Sequence, residues 1–128
     1  MREILFRGKR IDNVEWVEGY FVNLWLMHYQ KHQPIITDNN AVSYDVDLST
    51  VGQYTGLCDK NGKKIFEGDI MAFTAYGFDY VGTVEFADGS FSIMCEHTSP
   101  FLDQAVSKHG AYIIGNMHDN PELLKSVE

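Results

Sequence analysis

The stretch that decides the fold runs from residue 50 to residue 70 and combines short apolar runs with closely spaced glycines. It reads Thr50-Val51-Gly52-Gln53-Tyr54-Thr55-Gly56-Leu57-Cys58-Asp59-Lys60-Asn61-Gly62-Lys63-Lys64-Ile65-Phe66-Glu67-Gly68-Asp69-Ile70. Asn61-Gly62 lies between two apolar runs, and this dipeptide is the strongest short-range signal for a β-hairpin because both turn positions favour positive φ. The pattern predicts strands at 57–59 and 64–66.

The residues that follow this stretch predict a compact set of short strands. Alternating or apolar runs indicate strands at 69–74, 80–86, 91–95 and 111–114, and Asp88-Gly89 predicts a second tight turn. The segment 101–108 predicts a short helix that ends at Gly110. Four short strands at close spacing are the content of a small SH3-like barrel.

The residues before it also predict strands. The patterns indicate strands at 3–11, 14–22, 34–37 and 41–48, and a final helical turn at 120–124. The segment 23–32 is ambiguous between strand and helical turn. The predicted fold is therefore mainly β, with an SH3-like β-barrel in the C-terminal half (65–128), an N-terminal β-rich subdomain (1–64) that includes the central hairpin, and short helical turns, in a single domain.

The charge of the chain argues against broad, sequence-blind nucleic-acid binding. The 128 residues carry 10 Lys and Arg against 18 Asp and Glu, a net charge of −8. Phosphate binding depends on clustered cations, and two local basic clusters leave that possibility open. The first consists of Arg2, Arg7, Lys9 and Arg10, and the second of Lys60, Lys63 and Lys64.

The cysteine count and the lack of long apolar runs indicate a soluble, cytosolic protein. Two cysteines, Cys58 and Cys95, are too few for the disulfide framework of a secreted domain, and Cys95 alternates with core-type residues. The N-terminus has no signal-peptide pattern, and no apolar run approaches the length of a membrane helix.

Motifs spread over nearly the whole chain resemble those of the YopX family of phage and prophage proteins. The similarity is strongest at Thr50-Val51-Gly52-Gln53-Tyr54-Thr55-Gly56-Leu57 and continues in Asp59-Lys60-Asn61-Gly62 and Glu67-Gly68-Asp69-Ile70. It begins at Phe6-Arg7-Gly8-Lys9 and closes at Asn120-Pro121-Glu122-Leu123-Leu124. The chain departs from the family pattern at Cys58, and at Val14, where a glycine-type turn residue is usual.

The resemblance implies a β-rich protein with an SH3-like barrel in its C-terminal half, carried by a phage or mobile element in a bacterial host. It supplies no enzymatic activity, ligand or catalytic residue. We therefore expect no enzyme activity and no cofactor.

Two patterns suggest metal sites, and both are incomplete. Counted from Asp59, a calcium loop would need Gly at position 6 and Glu at position 12, but Gly62 is at position 4 and Ile70 is at position 12. His28 and His32 have zinc-site spacing only if their segment is helical, and no third ligand is nearby in sequence. We expect no metal site.

The candidate binding positions are those of the family motifs, although each has a structural explanation as a turn or packing residue. They are Gly52, Gln53, Tyr54, Thr55, Gly56, Asn61, Gly62, Gly68 and Asp69. Asp69 at a strand start favours a hydrogen bond to nearby backbone. Tyr54 either offers a hydroxyl and apolar area to a partner or packs within the fold.

The residues from Val14 to Met27 predict self-association. Both faces of a strand there would be apolar over 20–27, and a chain of this size has little material to cover both. The candidate contact residues are Trp16, Tyr20 and Trp25, and the competing possibility is that 24–32 turns helical and folds back over the sheet.

Two functions therefore remain. One is a self-associating module that also binds a host or phage protein, and the other is a nucleic-acid binder that uses the basic cluster at Arg2, Arg7, Lys9 and Arg10.

Overall fold

The computed structural model describes residues 4–124 and confirms a mainly β protein, with 54% strand and 12% helix. Contacts between residues divide the chain into two compact units, Met1–Tyr54 and Thr55–Glu128. The Asn61-Gly62 turn therefore belongs to the second unit.

The first unit is an antiparallel sheet built from consecutive hairpins. Its strands are β1 (Phe6–Lys9), β2 (Trp16–Leu26), β3 (Lys31–Thr37), β4 (Ser43–Asp45) and the beginning of β5 (Gly52–Cys58), with a 3₁₀ helix at Leu48–Thr50. Their order across the sheet is β4-β3-β2-β1-β5. The ambiguous segment 23–32 is resolved: β2 continues to Leu26, a four-residue turn follows, and β3 begins at Lys31. The alternative of a helix folding back over the sheet is wrong.

One face of this sheet carries the core of the first unit. The rings of Phe6 and Phe21 lie 5.5 Å apart, and Phe21 pairs with Ile36 across β2 and β3. Ile36 and Val46 are fully buried. Gly8 allows this close packing, since a Cβ there would lie 3.1 Å from Ile36 Cδ1.

The loop between β1 and β2 holds a valine in the left-handed region. The amide of Val14 donates to the carbonyl oxygen of Arg10, and Arg10 N donates to the carbonyl oxygen of Glu15. This closes a tight loop in which Val14 has φ 54°. A β-branched residue is strongly disfavoured there, which explains why a glycine-type residue suits this position.

Replacing Val14 with glycine is expected to stabilise the protein by about 1 kcal/mol, because it removes left-handed strain at an exposed side chain. Urea unfolding measures the change. Val42→Gly is the matched control, because Val42 is also exposed and has no positive φ; it should be neutral or destabilising. A lower stability for the Val14 variant would contradict the strain.

The second unit contains a four-stranded antiparallel sheet. The elements of the second unit are the end of β5, β6 (Lys64–Phe66), β7 (Asp69–Ala75), β8 (Phe78–Ala87), β9 (Ser90–Met94), α1 (Leu102–His109), β10 (Tyr112–Asn116) and a 3₁₀ helix at Pro121–Leu124. The sheet order is β10-β7-β8-β9. Within residues 4–124 the strand pairings leave this sheet open, so an SH3-like barrel stays a prediction.

The two predicted tight turns of this unit differ. Asp88 and Gly89 both have positive φ and join β8 to β9 as a two-residue type I′ turn, which confirms that prediction. At the central hairpin only Gly62 has positive φ, so the expectation for Asn61 is wrong. Gly62 N donates to Asp59 O, and Asp59 N donates to Lys63 O. The loop is thus a type I turn followed by a left-handed glycine.

The core of the second unit lies between its sheet and α1. Fully buried side chains include Ile65, Met71, Val84 and Ile93. As predicted, α1 ends at Gly110, which has φ 63° and donates to the carbonyl oxygen of Val106.

Candidate functional site

The register of β1, β2 and β3 divides the side chains of the N-terminal sheet between two faces. Because side chains alternate along a strand and directly paired residues share a face, the face opposite Phe6 and Ile36 can be assigned residue by residue. We call it the outer face. On β2 it carries Trp16, Glu18, Tyr20, Val22, Leu24 and Leu26, and on β1 and β3 it carries Arg7, Lys9, Lys31, Gln33, Ile35 and Thr37.

A row of three exposed apolar residues runs along the outer face. Tyr20, Val22 and Leu24 are 69%, 50% and 42% exposed. Val22 pairs with Ile35, which widens the row onto β3. A row of this kind on a protein surface is a feature of interaction sites.

The predicted self-association residues do not all lie together. Trp16 and Tyr20 share the outer face with the row. Trp25 lies at an odd position of β2 and therefore on the core-bearing face, where its ring is 5.0 Å from that of His32. Trp25 is thus separated from the row, and the sequence did not show this because the segment 23–32 was ambiguous between strand and helical turn.

The predicted basic cluster is divided as well. The guanidinium of Arg7 lies 4.6 Å and the ammonium of Lys9 5.5 Å from the centre of the Trp16 ring on the outer face. Arg10 instead contacts Asp12 at 2.6 Å, and hydrogen bonds from Arg10 hold the pKa of Asp12 below its usual value. Arg2 lies outside the described residues.

Asp59 is the organising residue of the central hairpin. Its Oδ1 accepts hydrogen bonds from the amides of Asn61 and Lys63, both at 2.9 Å, and its Oδ2 accepts from the amide of Ile113 at 3.0 Å. Burial would by itself raise the pKa of Asp59, but the three amide donors and the charge of Lys63 outweigh burial and lower it. Its two oxygens thus bind backbone and connect the hairpin to β10, as a turn-forming residue would.

The other motif positions of the second unit also have structural roles, either as hydrogen-bond partners of the backbone or as glycines with positive φ. Asp69 is buried and its Oδ2 accepts a hydrogen bond from Phe66 N at 2.8 Å. Thr55 Oγ1 donates to Ile65 O at 2.8 Å. Gly56 and Gly68 adopt positive φ, 89° and 91°, which a side chain would resist.

The motif positions of the first unit lie on the strand β5. Gly52 and Gln53 pair with Arg7 and Phe6 of β1. Tyr54 is buried, and its amide donates to Leu5 O at 2.8 Å. The geometry of Tyr54 therefore matches packing within the fold.

A second surface feature was missed by the sequence reasoning. Tyr76, 87% exposed, and Phe101, 58% exposed, both line one groove of about 330 Å³ in the second unit. The sequence feature that could have indicated this groove is Tyr76, an aromatic residue before Gly77 at a turn position that prefers Asn, Asp or Gly.

The histidines and cysteines are dispersed. His28 lies in a turn and His32 on β3, so the four-residue helical spacing does not apply. Cys58 is exposed, whereas Cys95 packs partly buried against the core, and burial raises the pKa of the Cys95 thiol. Within residues 4–124, no three His, Cys, Asp or Glu side chains converge on a possible metal position.

The helices of residues 4–124 are too short or too polar to cross a bilayer. The longest, α1, has eight residues.

Comparisons with known proteins identify a family and similar solved structures. A family model described as YopX protein matches residues 5–125. The crystal structure of protein EF1440 from Enterococcus faecalis is similar with a TM-score of 0.63 and 27% sequence identity, over 98% of this chain and 100% of that chain. A comparison with curated proteins gave no match.

Proposed function

The chain belongs to the YopX family, and the resemblance to that family supplies no catalytic residue. We propose that the protein is a non-catalytic interaction module that associates with its own copies through the outer face of the N-terminal sheet. The observation that supports this proposal is the exposed row Tyr20, Val22 and Leu24. An uncovered apolar sheet face favours a partner that buries it, and identical copies are always present.

The outer face has a charge pattern that suits a second copy. Along β2, Glu18 lies four residues before Val22, and Leu26, which pairs with Lys31, lies four residues after it. A two-fold axis that passes between the two sheets at Val22, perpendicular to β2, would therefore place Glu18 opposite the partner's Leu26 and beside the partner's Lys31 while the two rows pack together. Isologous interfaces require this kind of self-complementarity, and sheets pack face to face at about 10 Å.

Replacing Val22 with glutamate is expected to weaken self-association at least tenfold, because an unpaired charge would then lie inside the contact. Sedimentation equilibrium at micromolar concentration measures the association. Asn23→Glu is the matched control: it adds the same charge at the next residue, on the other face of β2, and should leave association unchanged. A wild-type species that stays near 14.6 kDa would refute the proposal.

Nucleic-acid binding through the basic cluster is the competing function. Arg7 and Lys9 lie on the outer face beside Trp16, a combination that also suits phosphate and base contacts. The net charge of −8 and the pairing of Arg10 with Asp12 favour the protein partner. Affinity for DNA that falls linearly with the logarithm of salt concentration would support the competing function instead.

The proposal extends to the cellular location, a further partner and the fold of the second unit. The module would act in the cytoplasm of a bacterial host, with a further host or phage protein as its partner, and its second unit would be a divergent SH3-like barrel. Family membership and the four short antiparallel strands support these expectations.

A further inference from the structure

Two neighbouring grooves of the second unit lie on either side of Phe101. The tyrosine groove, about 330 Å³, includes Phe73, Tyr76, Tyr80, Pro100 and Lys108. The aspartate groove, about 300 Å³, includes Leu57, Phe91, Leu102 and Asp103. Phe101 and Gln104 line both. The exposed ring of Phe101 is therefore positioned between two concave surfaces.

Tyr76 occupies its position against local backbone preference. It is the first residue of the Tyr76-Gly77 turn between β7 and β8, and its φ is 55°. Asn, Asp or Gly would adopt this conformation more readily. The side chain does not repay the strain by burial, since it is 87% exposed; within the described residues its ring contact is with His109 at 5.7 Å.

Phe101 departs from local preference in the same groove. It is the N-cap of α1, where Ser, Thr, Asp or Asn would accept a hydrogen bond from the first helical turn, and it makes no side-chain cap hydrogen bond. Its ring is also largely exposed. Two aromatic residues thus occupy positions at which smaller polar residues would stabilise the fold. Departures of this kind concentrate at functional sites.

We propose that these grooves bind an extended, proline-containing peptide segment that carries a basic residue. Aromatic-lined grooves recognise such segments because the polyproline II conformation is formed before binding and costs little entropy. The polyproline II helix has three residues per turn, so two prolines three positions apart lie on the same side of the peptide. They would enter the two grooves on either side of Phe101.

Charge determines the orientation of the peptide and disfavours nucleic acid. Residues 55–128 contain five lysines and eleven Asp or Glu, a net charge of 5 − 11 = −6. Asp103 in the aspartate groove would pair with the basic residue of the peptide, and Lys108 in the tyrosine groove would donate to its carbonyl oxygens.

The backbone at the grooves argues against strand addition. Ile93 N donates to Pro100 O, and Cys95 N donates to Thr98 O. The segment 98–100 therefore already occupies the amide of Ile93 in β9 and that of Cys95 just after it, where an added strand would have to pair.

The test is titration of the full chain with synthetic peptides, followed by amide chemical shifts in NMR spectra. Each peptide has about ten residues, two prolines three positions apart, and one arginine before or after them. We expect at least one orientation to shift the amides of Gln104 and Lys108. Tyr76→Asn and Phe101→Ser should each weaken that binding about tenfold without lowering the melting temperature.

The matched control is Asp88→Asn. It changes the first residue of the other type I′ turn and should alter neither binding nor melting temperature. Asp103→Asn should weaken binding of the arginine peptide but not of the same peptide with alanine in place of arginine. The proposal would be overturned if no amide shifts appeared at millimolar peptide, or if the Tyr76 and Phe101 variants bound the peptide as tightly as the wild type. It would also be overturned if single-stranded DNA, or dilution of the protein without peptide, produced the same shifts.

Discussion

Replacing Gly19 with alanine is expected to destabilise the protein by about 3 kcal/mol, because the new methyl group meets backbone that has no room to move. A Cβ at this position would overlap the carbonyl oxygen of Thr37, lie 2.7 Å from its carbonyl carbon, and lie 3.0 Å from the Cα of Asp38. Thr37 is the register partner of Tyr20, so relief of the overlap would disturb the pairing of β2 with β3.

Urea unfolding of the full chain measures this cost, and Gly8→Ala is the matched control. Gly8 lies on the neighbouring strand β1, and the nearest atoms to a Cβ there are side-chain methyl groups at 3.1 and 3.2 Å, which can adjust. We expect about 1 kcal/mol for the control. Equal costs for the two variants would show that backbone overlap at Gly19 is not decisive.

Gly19 also connects stability with the proposed interface. The close approach of β2 to Thr37 sets the register that places Tyr20, Val22 and Leu24 on one face. Because a one-residue slip would invert the faces of β2, loss of this register would remove the exposed row. Association of the Gly19 variant should therefore fall together with its stability.

Replacing Asp59 with alanine is expected to cost about 3 kcal/mol, because the substitution leaves three amide donors without their acceptor. Two of them, on Asn61 and Lys63, lie in the hairpin loop and can regain water. The third belongs to the half-buried Ile113 and connects the hairpin to β10 across 54 positions of sequence. Asp59→Asn keeps one acceptor oxygen and should cost roughly half as much.

The contribution of Asp59 should also depend on pH. Its pKa in the folded state lies below the ordinary 3.8, so the ionised carboxylate is the form that folding favours. The stabilisation is complete above that ordinary value and is lost as the pH falls through the lowered folded pKa. The difference in unfolding free energy between wild type and Asp59→Ala should therefore narrow in acid below pH 3.8. A difference that stays constant down to pH 2 would contradict this role.

The sequence by itself determined the features that depend on short-range chemistry. Asp88-Gly89 predicted its turn because both residues tolerate positive φ. Gly110 predicted the end of α1, and Asn120-Pro121 predicted a final helical turn, because a left-handed cap and a proline at the first helical position are local requirements. The motifs spread from Phe6 to Leu124 predicted the family, which the family model over residues 5–125 confirms.

Only the tertiary structure decided which residues share a surface. The sequence left the segment 23–32 ambiguous between strand and helical turn, so the face of Trp25 could not be assigned. The pairing of β2 with β3 makes this segment a strand and separates Trp25 from Val22. The carboxylate of Asp59 finds Ile113 far along the chain, and the grooves beside Phe101 bring a turn, a loop and a helix together. These relations depend on contacts between distant residues, and local patterns carry no information about which distant residues meet.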